Sequence, residues 1–148
     1  MRDPVHDKKT RLAEITNRVA GYFSERPEVA AVYLFGSLPV LKDTRSSDID
    51  IAVLTTSPAA VPGYLLKKEY CIDLAGLLKR EIDIVLLNEA GELLTYQILK
   101  HGRLVLEKDP TCHALFRSRR LVDYLDFKYH ENIMQKGMIR LMKEERHG

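Results

Sequence analysis

Three acids and one glycine-serine pair have the residue types and spacing that could do chemistry. Asp48 and Asp50 open DIDIAVLTT (48–56), a run rich in β-branched and aliphatic residues that reads as a strand. Residues two apart on a strand project from the same face with Cα atoms about 6–7 Å apart. Both carboxylates therefore point one way with Ala52, while Ile49, Ile51 and Val53 point the other. Paired oxygen donors suit a hard divalent cation, and a transferring nucleotide needs such charge neutralisation at its phosphates. Asp83 interrupts EIDIVLLN (81–88), which otherwise reads as a buried strand. An ionised carboxylate there needs a partner, and it finds the same cation if the third strand lies beside the second. Gly36 and Ser37 stop the apolar run VAAVYLFGS (29–37) ahead of an expected short helical turn. Free N–H groups at such a turn, with the Ser37 hydroxyl, can cradle the phosphates of a nucleoside triphosphate.

These residues need a scaffold, and the hydrophobic periodicity supplies one. Residues 10–25 carry Leu12, Ile15, Val19, Tyr22 and Phe23 at helical spacing, with Thr10 as candidate N-cap and Pro27 just beyond the end. Strands are expected at 29–37 and 48–56, joined by LPVLKDTRSS (38–47), which is too long for a tight hairpin. After the Pro- and Gly-containing connection SPAAVPG (57–63), a helix is expected over 65–80 and a strand over 81–88. A helix near 90–100, a stop at His101-Gly102 and a short strand at 103–108 follow, and then a long or broken helix over 111–143, with Gly137 a possible interruption. This order predicts an α/β (α+β) domain in which helices flank a small mixed sheet of three to four strands, with a C-terminal helix. The expected division is a domain over 1–108 and a helical extension over 109–148 that packs on it or on a partner.

The 148 residues leave room for one compact domain, and 45% hydrophobic with 30% charged residues is ordinary globular composition. A formal net charge of +2 gives no field that argues for nucleic acid or a membrane surface as partner. Cys71 and Cys112 are too far apart in sequence for a CxxC motif and belong to no closely spaced Cys/His set, so neither zinc nor a disulfide framework is expected. The charged N-terminus lacks the apolar stretch of a signal peptide, and no run approaches the ~18 apolar residues of a membrane span, so a cytoplasmic location is expected.

Gly36-Ser37, ten residues, then Asp48-Ile49-Asp50 resembles the nucleotidyltransferase superfamily typified by DNA polymerase beta, and within it the minimal nucleotidyltransferases. The resemblance covers roughly residues 10–108 and takes in Ser47 and the isolated acid Asp83. ILKHGRLVLEKD (98–109) and the helix containing YLDFK (124–128) resemble the C-terminal half of the MNT antitoxins, which are encoded beside HEPN-domain RNase toxins. The resemblance implies transfer of AMP from ATP onto a tyrosine of that partner, with two Mg2+ ions. By the same resemblance Asp48 and Asp50 bind both metals, Asp83 binds the catalytic metal and helps deprotonate the tyrosine, and Gly36 and Ser37 bind the triphosphate. One segment departs from the family. Gly-Ser is commonly followed there by a small or basic stretch ending in a second Gly, whereas this chain has Leu38, Pro39, Val40 and Leu41. That replacement motivates a rival reading, a non-catalytic antitoxin that acts by occlusion. Nucleotidylation of an antibiotic is a further alternative, for which the chain is short.

Other conspicuous residues read more simply. Lys42 and Arg45 read as solvated loop charges, with phosphate contact the lesser alternative, and Arg117, Arg119 and Arg120 as a charged helix face. His101, His113 and His130 lack an organised acid or nucleophile in sequence and read as structural or surface residues. Tyr124 and Tyr129, at helical spacing with Leu121 and Leu125, mark core or an interface.

Overall fold

The computed structural model describes residues 3–42, 48–56 and 61–147. Arg45 and Ser47, and residues 57–60 of the connection, lie outside the described residues. Eight elements follow in the anticipated order: α1 (Pro4–Ser24), β1 (Val29–Phe35), β2 (Ile49–Thr55), α2 (Gly63–Leu78), β3 (Ile82–Leu86), α3 (Glu92–His101), β4 (Arg103–Glu107) and α4 (Pro110–His147). Helix α1 starts six residues before the expected N-cap Thr10. The Asp3 carboxylate caps it by accepting from the Val5 N–H at 3.0 Å, and Pro4 occupies a first-turn position where its missing N–H costs nothing.

The strands form one mixed sheet in the order β3-β2-β1-β4. β1 pairs antiparallel with both β2 and β4, and β2 pairs parallel with β3 through the α2 crossover. The alternation in β2 sends Ile49, Ile51 and Val53 to a core built with Leu12, Ile15, Val19 and Phe23 of α1 and Leu66, Tyr70 and Leu74 of α2. Ala52 and Leu54 face the opposite way, into a smaller core with Tyr33, Ile98 of α3, and Cys112 and Phe116 of α4. Asp50, paired with Phe35, belongs to this second face near the start of β2, and Asp48 immediately precedes the strand.

A buried polar network fixes the root of α4. His113 is 1% exposed; the Tyr33 hydroxyl lies 2.6 Å from its Nε2, and a Glu107 carboxylate oxygen lies 3.0 Å from its Nδ1. Burial, ahead of the Glu107 charge, pushes the Tyr33 phenol upward and keeps it protonated. The Glu107 carboxylate can only accept, so Nδ1–H donates to it, and in that tautomer the Tyr33 hydroxyl donates to Nε2. His113→Leu strands the Tyr33 hydroxyl without its acceptor and is expected to destabilise the fold by about 2 kcal/mol, read as a lower urea midpoint at unchanged slope. An unchanged midpoint would show that the network contributes nothing.

The long helix is unbroken. α4 runs 38 residues, about 57 Å, straight through Gly137, because a lone Gly costs a helix only about 1 kcal/mol. Its first turns pack on the sheet and on α3. The Tyr124 ring stacks on Tyr96 of α3 with centroids 3.7 Å apart and planes 2° from parallel. Further along, Leu125, Tyr129, Ile133 and Met134 are exposed. Among the described residues no helix is long and apolar enough to cross a membrane.

Candidate nucleotidyl-transfer site

Adjacent strands bring two of the acids together. In the parallel register Asp50 of β2 stands opposite Asp83 of β3, and the two carboxyl groups are within hydrogen-bonding range. Burial, then the charge of Asp83, then that of Asp48, pushes the Asp50 carboxyl above the ordinary aspartate range, and the hydrogen bond with Asp83 adds to this. Asp48 thus acts on Asp50 across space. Among the described residues no three acids, histidines or cysteines close into a preformed metal cluster. The arrangement is a carboxylate pair with a third acid beside it, looser than the converging triad anticipated from sequence.

Asp83 departs from the buried position that its apolar run suggests. Asp83 is exposed, because β3 is the edge strand of the sheet and only Ile84, Leu86 and Leu87 of this segment are buried. Its proximity to Asp50 comes from strand pairing and not from a need to relieve burial. A shallow cleft of about 430 Å³ opens here, lined by Asp48, Cys71, Ile72, Glu81, Ile82 and Asp83 among others. Glu81 escaped notice although it precedes Asp83 by two positions and so shares its face, the alternation that linked Asp48 to Asp50. On the outer side of β3 the Cys71 Sγ of α2 lies 3.7 Å from the Ile82 carbonyl oxygen and is hydrogen-bonded to the Ile84 backbone. Burial raises the Cys71 thiol and keeps it protonated.

The turn after β1 reaches the same place. Gly36 has φ +76, and a Cβ there would overlap the Asp50 carboxylate. The glycine therefore supplies both the left-handed backbone and the room in which Asp50 sits. Among the described residues the expected helical turn takes the form of hydrogen-bonded turns without an α-helix. Residues 36–41 form turns, with Leu41 N–H donating to the Leu38 carbonyl at 3.1 Å and Lys42 N–H to the Ser37 carbonyl at 3.0 Å. The departure at 38–41 also has a structural account. Leu38 is 1% exposed and belongs to the main core, and Leu41 packs against it while holding φ +60, a conformation ordinarily left to Gly or Asn. The Lys8 ammonium of α1 donates to the Leu41 carbonyl at 3.0 Å. Core anchoring and this tie hold a loop that glycine would otherwise shape. Lys42, which carries the rival phosphate-contact reading, is exposed beside the turn.

The model of the family described as polymerase beta, nucleotidyltransferase matches residues 17–111. The chain belongs to that family. Within it, the chain is 35% identical over 77 residues to the protein adenylyltransferase MntA of Shewanella oneidensis, an alignment covering 52% of this chain and 53% of that protein. The chain thus spans about half the length of the curated relative it matches. A toxin-antitoxin solved with AMP-PNP superposes with TM-score 0.69 at 24% identity, covering 84% of this chain and 98% of that one. An MNT antitoxin in complex with tri-AMPylated Shewanella oneidensis HEPN toxin superposes with TM-score 0.66 at 22% identity, covering 86% and 98%. At these identities the superpositions establish the shared fold.

Proposed function

We propose that this nucleotidyltransferase moves AMP from ATP onto a tyrosine of a HEPN-domain toxin and thereby inactivates it as an antitoxin in the cytoplasm. The observation that carries the reading is the Asp50–Asp83 pair, held face to face with Asp48 nearby and Gly36 in van der Waals range. Gathering like charges so that Asp50 holds its proton more tightly than an ordinary aspartate is unfavourable unless a cation balances them. The oxygen donors therefore fit Mg2+, and Asp48, Asp50 and Asp83 would hold it. Bound there, the metal ions would neutralise the triphosphate and the developing charge of the leaving pyrophosphate.

The chain's own residues supply the rest. Gly36 and Ser37 present the triphosphate with a backbone free of side-chain bulk. Asp83, exposed at the mouth of the cleft, is placed to accept the tyrosine proton as the phenolic oxygen attacks the α-phosphorus and the bond to pyrophosphate breaks. In this division of labour residues 1–108 carry the chemistry and 109–148 reach the partner. MntA, the adenylyltransferase relative, and the AMPylated HEPN toxin held by a fold relative support the same reaction.

The test uses the chain, its HEPN-domain partner, Mg2+ and ATP labelled at the α-phosphate. Label is expected to appear on a partner tyrosine and to vanish with Asp48→Asn or Asp83→Asn, while Mg2+ removal stops it reversibly. Undiminished labelling in both variants would overturn the assignment. Rescue from toxicity that persists without any labelling would instead favour occlusion, which the substituted segment 38–41 keeps in view.

A further inference from the structure

A groove of about 370 Å³ runs between α3 and α4, lined by apolar Tyr96, Leu99, Ala114 and Leu121 and by the cations Lys100, Arg117 and Arg120. Lys100 leans over the Tyr96 ring at 5.6 Å, and among the described residues no carboxylate pairs with it or with Arg117. Arg120, one turn along, shows the contrast: it is engaged by Asp123 and the Asn88 carbonyl. The groove lies on the sheet face from which Asp50 projects. Leu99 packs into the same small core as Phe35, which is register-paired with Asp50.

The apolar lining does not stop at the groove. Ala114, Ser118, Leu121, Leu125 and Tyr129 follow at spacings of four, three, four and four residues, which keeps them on one helix face. Leu121, Leu125 and Tyr129 are 49%, 58% and 65% exposed. A small anion would fill the groove and make no use of an apolar stripe extending about 12 Å beyond it. A second helix laid along α4 would use both. Its apolar residues would interleave with the stripe, and its acidic residues would meet the cations.

Resting on the transferase reading, we infer that the α3–α4 groove and the stripe Leu121-Leu125-Tyr129 seat an amphipathic helix of the acceptor protein, with acidic side chains set against Lys100 and Arg117. This contact would hold the acceptor on the sheet face that carries the acids, and so set its KM without touching the reacting atoms. It is a positioning surface.

The experiment compares the wild type with the double variant Lys100→Glu/Arg117→Glu and with Leu125→Glu, an exposed position where a fold defect is not expected. Three quantities are read with the HEPN-domain partner as probe: KM and kcat for labelling, calorimetric affinity for the unmodified partner without nucleotide, and affinity for AMP-PNP with Mg2+. Both variants should raise KM and weaken partner binding by about tenfold or more, at kcat and AMP-PNP affinity within about twofold of wild type. Partner affinity and KM unchanged in both variants would overturn the proposal. Weakened AMP-PNP binding with intact partner binding would assign the groove to nucleotide and overturn it equally. Should the wild type transfer no label yet bind the partner through these residues, the transferase reading falls and the docking surface stands.

Discussion

Replacing Asp50 with Asn is expected to lower AMP transfer about a thousandfold while making the metal-free protein more stable. The rate effect follows from removing a central oxygen donor, since metal stabilisation of transition-state charge contributes several kcal/mol and each ~1.4 kcal/mol is tenfold. The stability effect has the opposite sign because of what surrounds the carboxyl. Burial first, and the charges of Asp83 and Asp48 next, hold its proton more tightly in the folded chain than in the unfolded one. A group raised in this way contributes stability that is fully present below the unfolded aspartate range. That contribution is lost as pH rises through the folded value, so at neutral pH the ionised pair is a net strain on the fold. Asn does not ionise and can still hydrogen-bond to Asp83. Thermal unfolding in EDTA from pH 4 to 8 should show wild-type stability sagging as pH rises relative to the variant, and Mg2+ should restore the wild type more than the variant. Parallel pH profiles would refute the like-charge account of the site.

Gly36→Ala should cost about a hundredfold in transfer and about 1–2 kcal/mol in stability. The backbone at φ +76 is one an alanine adopts only with strain of that size. The added methyl group cannot be accommodated in place, because the Asp50 carboxylate occupies its volume. Either the turn or the acid must move, and displacement of a catalytic group by even 1 Å can cost about two orders of magnitude. Gly91→Ala is the matched control, since a Cβ there meets nothing within 4 Å. Steady-state labelling and urea unfolding on both variants separate a lost site from a lost fold. Wild-type kinetics in Gly36→Ala would show that the turn does not set the position of Asp50.

What the sequence disclosed depended on whether the information was local. Period-two alternation in Ile49-Asp50-Ile51 is local, and the structure has the isoleucines in the core with Asp50 on the other face and Asp48 just ahead of the strand. The pairing of Asp83 with Asp50 is not local. It depends on which strand β2 takes as its parallel neighbour, and the apolar run IDIVLL reads as buried although β3 is an edge strand. The start of α1 is also a local signal, for Asp3-Pro4 is a cap followed by a first-turn proline, seven residues before Thr10. The turn at 36–41 was the least accessible. Leu41 at φ +60 is permitted by core contacts and by a lysine 33 positions away, and neither can be seen in a short window. The groove between α3 and α4 joins residues from two helices, so Arg117 in isolation looked like one more solvated charge.

The thiol that bridges β3 has a consequence for how anything can approach the acids. An outermost strand normally offers its spare amides and carbonyls to a passing chain, a common route to peptide capture and to runaway self-association. Here the sulfur of Cys71 engages the backbone of Ile82 and Ile84 on that border. On the function proposed above, a partner polypeptide would therefore gain little by lengthening the sheet alongside Asp83, and its tyrosine would come in tip-first from above the sheet.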